Sequence, residues 1–447
     1  VAFGTESDEL EASLKYLVLG TVASAFLLVG IALVYNVTGH LNWAKVGEAV
    51  VGAGGATLPL YVAAAFFLMG FGLKAAMVPF HAWLPDAHPS APAPISAMLS
   101  GVLIKASGVY ALARLVFSVF DGDASVGWVL VGLGVLSMVI GVLMAVGQWD
   151  FKRLLAYHSI SQMGYVVLAL GAAAVMQARG VRPMVVGLVV FGGLFHLANH
   201  AVFKSLLFLC SGSVEYATGT RQLKELGDIR GRMPVTGTCL RIATLAISGA
   251  PPLNGFWSKL IIVLALVLAE FYVLAAVTVF VSFMTLLSFA KVQRYTLAGQ
   301  PSERVARAHE VPLGMSVASV ALAVLCFGTS LLAVPGIRDR VLVPARDAVT
   351  AGARPASQGR TITVDGDGTA TPDVDDSRAA GTEIRRAPSL PHCAAVPVGA
   401  RPDKAGRGTP EGVAIGAAGT ETRRAQPGPR RALPLVHRSA PDIGEAP

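Results

Sequence analysis

Nine stretches of this chain are close to 20 or more residues long and overwhelmingly apolar. About 20 apolar residues is the length of helix that crosses a hydrocarbon core of about 30 Å. Backbone groups in lipid must bond within their own segment or within a closed barrel. These stretches exceed the roughly 9–11 residues of a barrel strand, so helix is the expected form. They lie near 13–36, 57–80, 93–119, 126–148, 153–176, 184–214, 234–268, 269–291 and 311–335. Only 14% of the residues are charged and the mean hydropathy is +0.60, whereas a soluble domain carries about 25% charged residues. The chain therefore reads as an all-α polytopic membrane protein. Packed as a soluble core, the same segments would leave too little polar surface.

Four lysines sit inside the apolar spans: Lys74 in FFLMGFGLKAAMVPF, Lys105 in SAMLSGVLIKASGVYAL, Lys204 in HLANHAVFKSLLFL and Lys259 in PPLNGFWSKLIIVLALVL. A charge at the bilayer centre costs roughly 2.5–3.5 kcal/mol on insertion scales. Such residues normally face a wet interior, where a lysine gains and loses a proton. Desolvation disfavours the charged amine and a nearby carboxylate restores it, so movement of one charge switches the other. Snorkelling to the interface is the plainer alternative for any one of them, above all Lys105 and Lys259. The sixth span adds His196, His200 and Lys204 at i, i+4 and i+8, a column along one helix face beside Asn199. Histidine titrates near neutral pH, so such a column can hand protons on through water; histidines packed onto neighbouring carbonyls are the alternative. HxxxH also suits zinc, but Leu197, Ala198 and Asn199 leave no glutamate for an HExxH site. Glu215 and Glu270 lie near span ends and read as interface residues.

Loop charge orients the chain. With residue 1 on the cytoplasmic side, the inner loops carry Lys152, Arg153, Arg221, Lys224, Arg230, Arg232, Lys291, Arg294, Arg304 and Arg307, and the outer loops only Lys45, Arg179 and Arg182. The same placement accounts for the net charge of +8 and pI near 9.4 without a nucleic-acid partner. Two spans look broken. The second runs into Pro79 and HAWLPDAHPSAPAPIS, and the seventh carries ISGAPPLNGFWSK. Proline removes a helix hydrogen bond, and discontinuous helices are typical of ion sites at the midplane. An ordinary kink is the alternative. Lys74 precedes one break and Lys259 follows the other, an arrangement suggesting two inverted copies of one unit.

Neither a GxGxxG nor a GxxxxGK[ST] loop occurs, and the scattered Cys210, Cys239, Cys326 and Cys393 form no CxxC, haem or iron–sulfur spacing. No cofactor or metal is expected, and the chain has no visible means of carrying electrons or hydrolysing ATP. Residues 351–447 hold no Phe, Trp or Tyr and 12 of the 26 prolines, the composition of a disordered tail or of a misread end. VAFGTESDELEASLKY shows neither an initiator Met nor a signal-peptide pattern, so residues 1–12 read as a truncated lead-in.

The stretches GLKAAMVPFHAWLPDAHPSAPAPISAMLSGVLIKASGVYALAR, DFKRLLAYHSISQMGYVVLALG, FHLANHAVFKSLLFLCSGSV and ISGAPPLNGFWSK, in this order, resemble the antiporter-like proton-channel subunits of respiratory complex I. That family includes the large subunits of Mrp cation/proton antiporters and of membrane-bound energy-converting hydrogenases. The likeness covers roughly residues 10–335. It implies a fold of about fourteen helices with two inverted repeats of about five helices each. Residues 13–119 would be a partial first repeat, 126–291 the second and 311–335 a final helix. Lys74 would then be the lysine of the broken seventh helix, Lys105 that of the eighth, His196, His200 and Lys204 the eleventh-helix relay, and Lys259 the lysine of the broken twelfth. The family pairs its seventh-helix lysine with a fifth-helix glutamate, which precedes the first residue here; Glu11 is not that residue. The Lys105 region resembles Mrp and quinone-type subunits, and HLANHAVFKSLLFL and EYATGTRQLKELGDIRGRMP look more like hydrogenase-type ones.

The implied function is proton translocation in a prokaryotic plasma membrane. The chain would work beside other membrane subunits of a complex I-like NADH-quinone oxidoreductase or energy-converting hydrogenase. A proton would enter near Lys74 or Lys105, pass His196, His200 and Lys204 and leave by Lys259. An Mrp-type Na⁺/H⁺ antiporter subunit and a non-conducting structural subunit are the alternatives.

Overall fold

The structure, a computed structural model, describes residues 7–350 except Ile104, together with two short strands, Ile362–Val364 and Ala370–Pro372, paired antiparallel. The side chains of 104–106, the start of the lead-in and the remainder of the 351–447 tail lie outside the described residues. Of two units, Val1–Val374 and Asp375–Pro447, only the first contains described residues.

Helices begin and end where the sequence supplies caps and prolines. Helix α1 (Ser7–Thr38) leads to a short α2 (Trp43–Gly52), whose first turn is capped by Asn42 Oδ1 accepting from Ala44 N at 3.0 Å. Helix α3 (Leu58–Ala75) opens with proline in its first turn and is followed by α4 (Leu84–Ser90). The next span, Ala93–Val119, comprises α5 (Ala93–Met98), α6 (Ala111–Arg114) and three π-helical stretches, Leu99–Leu103, Lys105–Tyr110 and Leu115–Val119. Wide turns of this kind are rare and gather at functional sites. Asp123 and Asp150 cap α7 (Ala124–Val146) and α8 (Phe151–Ala178). After α9 (Pro183–Thr218) come α10 (Ile229–Arg232), α11 (Pro234–Ser248), α12 (Asn254–Leu268), α13 (Tyr272–Thr296), α14 (Glu303–Ala306), α15 (Leu313–Gly328) and α16 (Pro335–Thr350).

Eight spans among the described residues are long and apolar enough to cross a membrane. The remaining expected one, 234–268, is divided. Its halves α11 and α12 have 15 residues each, about 22 Å apiece, and only together match the bilayer. The breaks are alike in construction. Helix α3 stops at Ala76 with φ +53°, α11 at Gly249 with φ +83°, both left-handed C-caps. A helix end leaves carbonyls without intrahelical donors. Trp83 Nε1 donates to Leu73 O at 2.9 Å in the first break, and Lys259 Nζ to Ile247 O at 2.8 Å in the second.

Polar contacts gather at opposite ends of the spans, grouped as the loop alternation expects. Lys15 and Arg153 meet Asp86 at 2.7 and 3.0 Å, Arg221 meets Asp150 at 3.1 Å and Lys152 meets Glu215 at 2.7 Å. These pairs join the ends of α1, α4, α8 and α9 that the charge count assigns to the cytoplasm. At the other end Tyr61 donates to Asp123 at 2.9 Å, and the Arg179 guanidinium lies 5.3 and 5.2 Å from the Trp128 and Phe271 rings.

Helix α8 is the axis. Every residue from Leu154 to Met176 is buried, so its polar side chains face protein throughout. It packs on α7 at glycine depth: a Cβ on Gly134 would meet Leu168 N at 2.6 Å, and one on Gly164 would meet Gly134 O at 2.7 Å. Without water between helices, close van der Waals approach of small residues supplies much of the association energy. Gly134→Leu is expected to cost at least about 1–3 kcal/mol through overpacking, read as a lower unfolding temperature in detergent. Gly132→Leu, with open space at its Cβ, should leave that temperature unchanged.

Candidate functional site

The α9 column is fully enclosed. His196, His200 and Lys204 are each 0% exposed, as is Asn199. The 36-residue α9 is unbroken, so the i, i+4, i+8 spacing holds them on one face. Lys204 Nζ donates to Leu155 O of α8 and lies 5.5 Å from the Phe208 ring centre. That carbonyl also accepts from Ser159 Oγ at 3.2 Å, and Ser159 Oγ pairs with Ser100 Oγ at 2.9 Å. Ser100 stands in the Leu99–Leu103 π-helical stretch, so hydroxyls join the Lys105-bearing span to the base of the column.

Lys259 joins the column at its other end. His196 Nδ1 and Ser258 Oγ are 3.0 Å apart, and Ser258 directly precedes Lys259. The amine sits 5.2 Å from the Tyr165 ring centre, and that ring is 5.4 Å from the His196 ring. Asn199 Nδ2 donates to Asn254 O at 2.9 Å, where α12 begins. The broken helix thus presents a serine and a backbone carbonyl to α9 and a lysine to Tyr165 of α8, and the break lets Lys259 reach the carbonyl end of α11. A cation is favoured there by the negative end of the half-helix dipole.

Lys74 stands apart. It is half-buried at the end of α3 and lines a cavity of about 100 Å³ with Tyr16, Gly20, Trp83, Leu103 and Ser107. Among the described contacts, none ties it to the α9 column. Lys105 occupies a π-helical turn next to Ser107 of the same cavity, and its side chain lies outside the described residues. Glu215, expected at an interface, binds the 4%-exposed Lys152 and sits 3.5 Å from Arg221.

The sequence reading missed several participants. His158, Gln162 and Tyr165 are all buried on α8 at i, i+4 and i+7, the same spacing rule that exposed the α9 column. AYHSISQMGY carried that signal in plain sight. Ser258 and Asn254 were hidden because their roles depend on the helix break, which sequence locates but does not orient.

The profile of the NADH:quinone oxidoreductase/Mrp antiporter transmembrane family matches residues 1–285. The chain is 37% identical over 305 residues to an Na⁺/H⁺ antiporter subunit of Alkalihalophilus pseudofirmus, covering 67% of this chain and 58% of that protein. It is 35% identical over 319 residues to an NADH-quinone oxidoreductase subunit of Desulforudis audaxviator, covering 70% and 60%. It therefore spans a little under two thirds of the length of these curated relatives. A chain in the structure of the Mrp complex from Dietzia sp. DQ12-45-1b superposes with a TM-score of 0.69 at 27% identity, over 80% of this chain and 71% of that one.

The Lys152–Glu215 pair offers a check on the site's cytoplasmic edge. Lys152 is buried and Glu215 one-third exposed, so removing the amine leaves a partly solvated carboxylate with only the longer Arg221 contact. Lys152→Met should lower stability by about 1–3 kcal/mol, less than for a fully buried pair. The double variant K152M/E215L should recover part of that loss in the same thermal unfolding assay.

Proposed function

Because the chain belongs to the NADH:quinone oxidoreductase/Mrp antiporter transmembrane family, we propose that it moves protons across a prokaryotic plasma membrane as one membrane subunit of a larger complex. In this reading the partner subunits supply redox energy, as in complex I-like oxidoreductases or energy-converting hydrogenases, and this chain supplies the path. Protons reach the second repeat from the Lys74 and Lys105 side, cross the Ser100–Ser159 hydroxyls to Lys204, pass His200 and His196, and leave from Lys259 toward the outside.

One observation carries the proposal: the Lys259 amine is buried, bonded to Ile247 O and stacked near Tyr165, while its neighbour Ser258 contacts His196. A lysine with no task at that depth would impose the insertion cost of a charge for nothing. Placed between a histidine column and a half-helix end, it can accept a proton from one side and release it on the other. The two protonation states differ by a full charge in a low-dielectric setting, so each state repels or admits the next proton.

Likeness to an Na⁺/H⁺ antiporter subunit favours a second reading, proton movement exchanged for Na⁺ without a redox partner. Proton uptake by vesicles holding the intact complex separates the two. The redox-driven reading expects uptake on substrate oxidation in Na⁺-free buffer, and the exchange reading expects uptake only against a Na⁺ gradient.

Lys259→Ala in the full-length complex should abolish proton translocation while assembly and any electron transfer persist. Translocation at the normal rate in that variant would overturn the assignment.

A further inference from the structure

A second polar line runs beside the α9 column, and the path above does not use it. Helices α8 and α13 are antiparallel neighbours joined by side-chain hydrogen bonds. His158 Nε2 and Ser288 Oγ are 2.8 Å apart; Tyr165 Oη lies 2.8 Å from Ser282 Oγ and donates to Thr278 O at 3.2 Å. The pairs 158–288 and 165–282 fix the register, which sets Gln162 opposite Thr285. All of these except the half-buried Ser282 are buried. From His158 to Tyr165 the seam covers about 10 Å of helix.

Its ends are chemically distinct. One turn beyond Ser288, Lys291 is half-buried and donates to Val146 O at 2.6 Å and Gln148 O at 2.7 Å, at the cytoplasmic end of α7. At the other end the Tyr165 ring meets Lys259. The seam therefore connects the cytoplasmic surface to the exit lysine without passing His196, His200 or Lys204.

Hydroxyls on a transmembrane helix are ordinary when they bond back to their own turn, as Thr278, Ser282 and Thr285 do. Gln162 is not of that kind. It is 0% exposed, and neither its Oε1 nor its Nε2 has a hydrogen-bond partner among the described residues; nor does His158 Nδ1. A buried amide with neither end bonded costs several times what one hydrogen bond contributes. Buried polar groups of this sort are satisfied by internal water. Gln162 sits midway between the two bonded pairs, where water would complete a chain from His158 to Tyr165.

We propose that the α8–α13 seam is a cytoplasmic proton entrance belonging to the second repeat itself, running Lys291, Ser288, His158, Gln162, Tyr165 to Lys259. It rests on the proposed proton-carrying function and deepens it: Lys259 has two feeds, one through α9 from the first repeat and one through α13. Protons cross the bonded His158–Ser288 pair directly and the gaps at Lys291, Gln162 and Lys259 through water, with no bond to carbon or change of oxidation state. His158 relays a proton between its two ring nitrogens, the hydroxyls and Gln162 position water, and Tyr165 sets the last contact before the amine.

The experiment uses the intact complex in sealed vesicles, with proton uptake followed by a pH-sensitive dye. Gln162→Leu and Ser288→Ala remove polarity at nearly constant volume, and Ser288→Thr restores a hydroxyl. The first two should each slow translocation about twofold, to what the α9 feed alone sustains when the two feeds carry equal shares. Ser288→Thr should keep the wild-type rate, and all three should assemble normally. Lys259→Ala run in parallel separates the claims. If it abolishes translocation while Gln162→Leu and Ser288→Ala run at the wild-type rate, the seam is wrong and the proposed function stands. If Lys259→Ala itself translocates normally, the proposed function falls and takes the seam with it. Equal slowing by Ser288→Ala and Ser288→Thr would reduce Ser288 to a packing residue and also overturn the seam.

Discussion

Every well-buried lysine among the described residues ends on a backbone carbonyl. Lys152 donates to Ala91 O, Lys204 to Leu155 O, Lys259 to Ile247 O, and the half-buried Lys291 to Val146 O and Gln148 O. Lipid offers an amine no partner, and a protein helix offers carbonyls only where its ladder is open or shared. The need to meet these amines shapes what surrounds them. Helix α11 stops short so that Ile247 O is available, α7 ends beneath Lys291, and Leu155 O is shared between a serine and a lysine. A carbonyl is also a partner that outlasts the proton: a neutral amine still donates to it, so the side chain keeps its place through a change of charge.

The same constraint explains why α8 is central and polar. A helix surrounded by protein over its whole membrane depth can carry His158, Ser159, Ser161, Gln162 and Tyr165 without exposing them to acyl chains. Its close contact with α7 occupies one face, leaving the others to the α9 column, the Ser100 hydroxyl and α13. The exposed apolar residues of α1 and α13, such as Leu17, Leu28, Phe280 and Phe283, suit a lipid or subunit boundary. The interior is itself largely apolar, and a minority of polar side chains stays enclosed within it, away from the acyl chains.

Much of this was legible in the sequence. Span length yielded the helical class and the positions of the spans, and the ion pairs at Asp86 and Asp150 join span ends that the loop alternation puts on one side. The proline-rich ISGAPPLN stretch pointed to the divided helix that α11 and α12 form. Spacing alone placed His196, His200 and Lys204 on one buried face. What sequence could not supply was contact between helices distant in the chain. Nothing in the spacing says that Ser288 faces His158, 130 residues away, or that Tyr165 lies under Lys259. The short α2 and α16 also escaped notice, because helices of 10 and 16 residues with mixed polarity lack the long apolar run that marks a span.

The central claim is that the buried basic groups lie along water. A high-resolution density map of the intact complex reads this directly. Ordered water is predicted beside the Gln162 amide and between the α9 histidines and Lys259, with each lysine amine on its carbonyl. Continuous apolar packing around Gln162 and His200, or lysine amines turned outward to the lipid headgroups, would contradict it.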